Sequence, residues 1–147
     1  MRSQTKTRTH VPEHRRARGL LDTSVVIDIE ALSPSQLPVE VAISAITMAE
    51  LAAGSHATTD AIERGRRQDR LQRAEAVFDP LPFDADAARA YGRIYSAVVA
   101  AGRKARGARA VDLLIAAAAC AANLPLYTRN PDDFAGLDGL VEIIALA

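Results

Sequence analysis

The stretch GLLDTSVVID, residues 19–28, predicts the fold class because a short apolar strand runs directly into an apolar helix. GLLD predicts a buried strand that ends at Asp22. Thr23 and Ser24 are suitable N-cap residues for a helix spanning Val25 to Leu32. A strand followed at once by a helix is typical of α/β folds.

The rest of the chain continues this alternation of strands and helices. Strands are predicted at VEVAIS (39–44), Pro80–Phe83, LPLYT (124–128) and LVEIIAL (140–146). Helices are predicted at ITMAELAAG (46–54), 58–78, Asp84–Gly102 and Val111–Asn123, with one helical turn at NPDDF (130–134). Because strands separated by helices need crossover connections, the order predicts a mostly parallel sheet flanked by helices.

Length and charge divide the chain into one domain and a tail. The 147 residues, 49% of them apolar, suffice for one core. Residues 1–18 hold six Lys or Arg against one acid and lack hydrophobic periodicity, so we predict a basic, disordered tail. Residues 19–147 form the predicted domain. There, the other 12 Lys and Arg face 17 Asp and Glu, so bulk charge does not favour nonspecific binding of nucleic acid.

Composition excludes several classes of protein. The single cysteine, Cys120, cannot form an internal disulfide, and thiolate-held metal is not expected. No apolar run reaches the roughly 18 to 20 residues that cross a bilayer, and the basic N-terminus lacks the apolar segment of a signal peptide. We therefore expect a cytoplasmic protein with no membrane contact.

Three separated acids are candidate site residues. Asp22 ends the first strand, at the edge where open α/β sheets build their sites. Glu50 lies among apolar residues of the second helix, and Asp112 lies at the predicted start of the alanine-rich helix. Each also has a structural explanation, since Asp22 and Asp112 suit helix N-termini and a lone Glu50 suits a solvated helix face.

A fourth polar segment follows the LPLYT strand. It offers Thr128, Asn130, Asp132 and Asp133, although a turn and a helix cap explain these residues too. If the strands are parallel, the acids of all four segments converge on one rim of the sheet. Clustered carboxylates repel one another unless a cation neutralises them, and an all-oxygen set without His or Cys suits Mg²⁺ or Mn²⁺. Such an ion supports phosphodiester hydrolysis.

LLDTSVVID, TMAEL, AVDLLIAAAA and LYTRNPDDF together resemble the four signature segments of the PIN domain, in the family's order. They are most similar to the VapC ribonuclease toxins of bacterial toxin-antitoxin pairs, and the resemblance covers about residues 19 to 146. It implies a three-layer PIN-like fold with a five-stranded parallel sheet. It also implies Mg²⁺-dependent endoribonuclease activity, a homodimer, and inhibition by a cognate VapB-type antitoxin.

Carried over position by position, the resemblance makes Asp22, Glu50 and Asp112 the acidic metal-site residues. The fourth position stays open between Asn130 and Asp133, with Asp132 also adjacent. Thr23 and Ser24 are candidates for contact with the scissile phosphate. The basic residues that lead the chain to Asp112 are candidates for binding the RNA backbone, namely Arg103, Lys104, Arg106 and Arg109.

Other functions fit the residues less well. A phosphatase of the haloacid dehalogenase type needs a second Asp two positions after the first, where this chain has Ser24. No G-x-S-x-G motif supports a serine hydrolase, and no glycine fingerprint supports a P-loop or a dinucleotide fold. The remaining alternatives are a catalytically inactive PIN-like binding module, another metal-dependent phosphoesterase and a flavodoxin-like binding protein.

Overall fold

The structure of the protein, a computed structural model, describes residues 15–147. The strands are β1 Arg18–Leu21, β2 Glu40–Ile43, β3 Leu126–Thr128 and β4 Ile143–Ala145. The helices are α1 Thr23–Ile27, α2 Ala45–Gly54, α3 Ala61–Val77, α4 Ala85–Ala100 and α5 Ala108–Ala121. Short 3-10 helices span Ile29–Ala31, Pro34–Gln36 and Pro131–Phe134. None of the helices within residues 15–147 has the length and apolarity needed to cross a membrane.

The sheet is parallel throughout, with strand order β2-β1-β3-β4, which confirms the predicted fold class. It has four strands where five were expected. The predicted strand at Pro80–Phe83 is reduced to one bridge, in which Leu81 N–H donates to Ile43 O at 2.9 Å and Leu81 O accepts from Ala45 N–H at 2.8 Å. Pro80 and Pro82 flank Leu81 and have no N–H to donate, so the ladder stops there.

Helices cover both faces of the sheet and create three layers. Leu20 faces a core formed mainly by α4 and α5, whereas the next residue, Leu21, faces a core formed by α1, α2 and α3. In β4, Ile143 packs against the core formed by α4 and α5, and Ile144 packs against the core formed by α1, α2 and α3. The alternation follows from the two-residue period of a strand, and it buries both faces of a parallel sheet.

Two helix starts differ from the sequence-based expectation. Asp22, not Thr23 or Ser24, is the N-cap of α1: its side chain accepts from Val25 N–H, so Thr23 is already the first helical residue. The α-helix ends at Ile27, short of the predicted Leu32. At α5 the helix begins at Ala108, so Asp112 lies in the second turn and its carboxylate does not cap the helix.

The predicted tail is only partly within the described residues, because 1–14 lie outside them. Residues 15–18 join the folded body, in contrast to the predicted disorder. Arg16 and Ala17 accept backbone hydrogen bonds from Val39 (3.0 Å) and Glu40 (2.8 Å), and Arg18 is the first residue of β1. The first strand therefore pairs with the approach to β2 before residue 19.

Candidate functional site

Acids from four separate segments act on one another electrostatically at the carboxyl edge of the sheet. The pKa of Asp112 is raised to about 6, first by burial and then by the negative charges of Asp133, Glu50 and Asp22, while Arg109 opposes the shift. Such an effect reaches over several ångströms, so it indicates that Asp22, Glu50 and Asp133 lie in the region of Asp112. Asp22, Glu50 and Asp112 were predicted to lie together, and Asp133 was one of the two candidates for the fourth position.

The two carboxylate oxygens of Asp22 have different surroundings. The residue is only 4% exposed, and its Oδ1 accepts from Ser24 Oγ at 2.6 Å and from Val25 N–H at 3.1 Å. No described hydrogen bond reaches Oδ2, and within residues 15–147 no side-chain oxygen without a partner is sealed from solvent. Oδ2 therefore keeps some contact with solvent. The capping explanation and the functional explanation are both compatible with this geometry.

Glu50 is held by a hydroxyl from the neighbouring helix. Its Oε1 accepts from Thr23 Oγ1 at 2.6 Å, and Thr23 Oγ1 lies 3.0 Å from Thr47 Oγ1. Glu50 is partly buried in the middle of α2, so it does not occupy the solvated face that a lone glutamate would favour. The Thr23 hydroxyl thus binds a site carboxylate.

Asp133 is better placed than Asn130 to complete the acidic group. Asp133 is partly buried, and its charge is the largest electrostatic cause of the raised pKa of Asp112. Asn130 is exposed, and its side chain does not cap the 3-10 helix that follows. Asp132 is also exposed, and its backbone carbonyl accepts from Arg103 Nη1 at 2.7 Å.

Ser24 connects the ends of the two central strands. Its hydroxyl donates to Asp22 and accepts from the backbone N–H of Arg129 at 3.2 Å, just after β3. The Arg129 guanidinium donates to Asp28 Oδ2 at 3.0 Å, beyond the end of α1. These bonds fix the Asn130–Asp133 segment relative to Asp22.

The four predicted RNA-binding residues have different surroundings. Arg103 is held by the Asp132 carbonyl, and Arg109 lies in the first turn of α5, not in the loop, close enough to Asp112 to lower its pKa. Lys104 and Arg106 are exposed on the loop before α5. Of the four, only these last two are exposed residues with no described contact to the site.

The oxygen donors fit a hard divalent cation. The gathered side chains supply carboxylate oxygens and no nitrogen or sulfur, and their mutual repulsion would be relieved by positive charge. As the side chains stand in residues 15–147, no three acidic, His or Cys groups are close enough to hold a metal ion together. Mg²⁺ does not need such a cage, because it usually retains several waters and binds one or two carboxylates.

Two residues that contribute to the site's geometry were not singled out in the sequence. Thr47 is fully buried and contacts Thr23, and Arg129 contacts both Ser24 and Asp28. The signal for Thr47 was its spacing, three residues before Glu50 and hence on the same face of α2. Nothing comparable marks Arg129, whose partners are about 100 residues away in the chain.

Known proteins share this sequence and this geometry. The sequence pattern of the PIN domain matches residues 19–140. Ribonuclease VapC5 of Mycobacterium tuberculosis is 43% identical over 137 residues, which are 87% of this chain and 95% of that protein. Ribonuclease VapC8 of the same species is 37% identical over 102 residues, 69% of this chain and 89% of that protein.

Solved structures agree with the sequence comparison. A chain in the crystal structure of VapBC-5, a toxin-antitoxin system of Mycobacterium tuberculosis, superposes with a TM-score of 0.78 at 40% identity, covering 88% of this chain and 99% of that one. A chain of FitAcB from Neisseria gonorrhoeae superposes with a TM-score of 0.64 at 28% identity, covering 85% and 95%. Because the PIN-domain pattern spans residues 19–140 and a VapC ribonuclease is 43% identical over most of the chain, the chain belongs to the PIN-domain family and, within it, to the VapC group.

Proposed function

We propose that this protein is a metal-dependent endoribonuclease and the toxin of a type II toxin-antitoxin pair. It hydrolyses RNA phosphodiester bonds at Asp22, Glu50, Asp112 and Asp133, with Mg²⁺ as the cofactor and Mn²⁺ able to replace it. A VapB-type antitoxin inhibits it in the cytoplasm. The relatives named ribonuclease VapC5 and VapC8 support the reaction class, and the VapBC-5 complex supports the kind of partner.

The observation that carries the proposal is the raised pKa of Asp112. Burial raises this pKa first and the charges of Asp133, Glu50 and Asp22 raise it further, so an ionised Asp112 is costly for an unliganded protein at neutral pH. A purely structural protein gains nothing from this cost. A site that receives a cation and then a phosphate does gain from it, because the charge needed to bind the cation is already in place.

The chain's own groups divide the work of the reaction. Asp22 and Asp112 would hold the ion directly, and Glu50 would hold it directly or through water. When bound, Mg²⁺ would polarise the phosphate and lower the pKa of a water molecule. Asp133 would orient the attacking water near Asp112. Ser24 and Thr23, whose hydroxyl protons bind carboxylates, keep Asp22 and Glu50 in place.

Homodimer formation is part of the proposal and has a candidate surface. Tyr95 and Val99 are 48% and 52% exposed, one turn apart on α4, although both side chains are largely apolar. Residues four apart on a helix form a stripe that a second copy can cover. Sedimentation or light scattering of the wild-type protein and of Val99→Glu tests this directly, because a charged residue in the stripe should shift the mass towards the monomer.

Metal-dependent cleavage of RNA is the main test. We expect the purified chain to cut structured RNA with Mg²⁺ or Mn²⁺ and not with EDTA. Asp112→Asn should abolish cutting, while the matched control Glu40→Gln, which neutralises a carboxylate at the opposite edge of the sheet, should cut as well as wild type. Gel analysis of total RNA under these conditions gives the readout, and cutting that survives EDTA contradicts the metal site.

The alternatives differ in what this assay shows. A catalytically inactive PIN-like module would bind RNA or antitoxin without cutting RNA at any metal concentration. Another metal-dependent phosphoesterase would hydrolyse a small phosphodiester such as bis(p-nitrophenyl) phosphate in preference to RNA. The acids at the sheet edge are present in both cases, so the substrate assay separates the three functions.

A further inference from the structure

A buried hydroxyl lies directly behind Glu50. Thr47 precedes Glu50 by three residues on α2 and is fully buried. Its Oγ1 lies 3.0 Å from Thr23 Oγ1, which in turn lies 2.6 Å from Glu50 Oε1. The side chains of Thr47, Thr23 and Glu50 thus form a line of hydrogen bonds that runs from the core of the protein to the acidic site.

The donor and the acceptor of each hydrogen bond in this line follow from the number of protons that each group can donate. An ionised carboxylate only accepts hydrogen bonds, so the Thr23 hydroxyl must use its single proton on Glu50. Thr23 then has only lone pairs to offer Thr47, which makes Thr47 the donor. The order is therefore Thr47 to Thr23 to Glu50, and each bond polarises and strengthens the next.

The same line joins two helices at the site. Thr23 is the first residue of α1 and follows Asp22, whereas Thr47 and Glu50 belong to α2. Because Thr47 and Glu50 are three apart on one helix, they reach Thr23 from the same face. The hydrogen bonds therefore set the distance between the segment that carries Asp22 and the helix that carries Glu50.

A hydroxyl in this position is not the best choice for packing alone. Valine has nearly the same shape as threonine and avoids the cost of removing a hydroxyl from water. The buried Thr47 hydroxyl makes a single hydrogen bond, to Thr23. A typical bond of this kind offsets the cost of burying the hydroxyl only modestly. What it adds beyond packing is a fixed orientation for the hydroxyl that binds Glu50.

We propose that Thr47 is a positioning residue for the metal site: by donating to Thr23 it directs the Thr23 proton at Glu50 Oε1 and leaves Oε2 for the cation. The inference rests on the proposed function. Partners behind a metal ligand typically change metal affinity by about 10- to 100-fold when removed. Thr47 acts through one intermediate group, so we expect an effect near the lower end.

Paired substitutions separate positioning from packing. Thr47→Val keeps the shape and removes the hydroxyl, whereas Thr47→Ser keeps the hydroxyl. In titrations of the full chain with Mn²⁺, followed by the electron paramagnetic resonance signal of free Mn²⁺, Thr47→Val should raise the Kd by about tenfold. Thr47→Ser should stay close to wild type, and RNA cleavage at subsaturating Mn²⁺ should follow the same ranking.

A buried hydroxyl at the other end of the same helix supplies the control. Ser55 is 3% exposed, and its hydroxyl donates to the Ala52 carbonyl at 3.2 Å, away from Glu50. Ser55→Ala should alter thermal stability without altering the Mn²⁺ Kd. Equal Mn²⁺ affinity in wild type and Thr47→Val would overturn the positioning role and leave the proposed function intact. If the wild-type chain bound no Mn²⁺, the proposed function would be contradicted and the positioning role with it.

Discussion

Asp22 shows that a single carboxylate can cap a helix and also act on a neighbouring acid. Its Oδ1 accepts from Val25 N–H and Ser24 Oγ, and its charge contributes to the raised pKa of Asp112. Loss of activity on mutation would therefore not distinguish a missing metal ligand from a damaged helix start. Stability with and without metal distinguishes them.

Replacing Asp22 by Asn and by Ala should give different stability changes. Asp22→Asn keeps an oxygen for the cap and removes repulsion, so metal-free stability should be unchanged or slightly higher while cleavage is lost. Asp22→Ala should cost about 0.5 to 2 kcal/mol because the cap is gone. Wild type should gain about 1.4 kcal/mol for each tenfold excess of Mg²⁺ over its Kd, and both variants much less. Thermal melts with and without Mg²⁺ provide the comparison, and equal metal-induced shifts in all three proteins would remove Asp22 from the site.

Asp112 makes metal-free stability depend on pH. Its folded-state pKa of about 6 lies above the ordinary value of 3.8, so between these values the native state binds the proton more tightly than the unfolded state. The free energy of unfolding should therefore fall as pH rises from about 4 to 6 and stay lower above 6. The effect is on the order of 1 kcal/mol, because solvent screens a partly exposed carboxylate.

Denaturant unfolding of wild type and Asp112→Asn across pH 4 to 8 measures this contribution. The variant has no carboxylate to ionise, so it should be the more stable protein above pH 6, and the difference should shrink towards pH 4. Proton competition should also weaken Mn²⁺ binding by the wild type below pH 6. A difference between the two proteins that does not change with pH would show that Asp112 is not perturbed.

At the scale of elements, the loop before α5 carries basic residues in two different environments. Arg103 donates to the Asp132 carbonyl and so anchors the 3-10 helix that presents Asp133. Lys104 and Arg106 are exposed and are not needed for that anchor. The loop therefore combines one structural arginine with two charges that are available to a phosphate backbone.

Substitutions in this loop should separate the two functions. Lys104→Ala combined with Arg106→Ala should weaken RNA binding and reduce the slope of log K against log salt by about 1.4 for single-stranded RNA, with unchanged protein stability. Arg103→Ala should instead lower cleavage more than RNA binding. Fluorescence anisotropy over a salt series, with a catalytically inactive Asp112→Asn background, measures the slope. An unchanged slope in the double variant would show that RNA follows another path.

At the scale of the whole molecule, the fold concentrates negative charge at one edge of the sheet. An arginine from an antitoxin can bind carboxylate with two parallel hydrogen bonds, and it competes with metal for the same charge. Asp112→Asn should therefore weaken the cognate antitoxin by on the order of 10-fold or more, whereas Glu40→Gln at the opposite edge should not. Calorimetric titration of both variants tests this, and equal affinity would place the inhibitory contact elsewhere.

The sequence alone determined the fold class and supplied the candidate residues of the site. Apolar strands at residues 19–22 and 124–128, each followed by a helical signal, predicted a parallel sheet with acids at its carboxyl edge, because local periodicity reports which residues are buried. Asp22, Glu50 and Asp112 were therefore identifiable as candidates before their distances were known. The family resemblance implied that the same three residues form one metal site.

Only the tertiary structure decided how those acids are held and which residue joins them. Asp133 is partly buried and raises the pKa of Asp112 whereas Asn130 is exposed, the predicted strand at Leu81 is reduced to one bridge, and Thr47 contacts the Thr23 hydroxyl that binds Glu50. Each outcome depends on contacts between residues far apart in the chain, or on which of two nearby polar side chains becomes the more buried one. Periodicity and propensity describe a segment by itself, so they carry no information about the orientation of one segment against another.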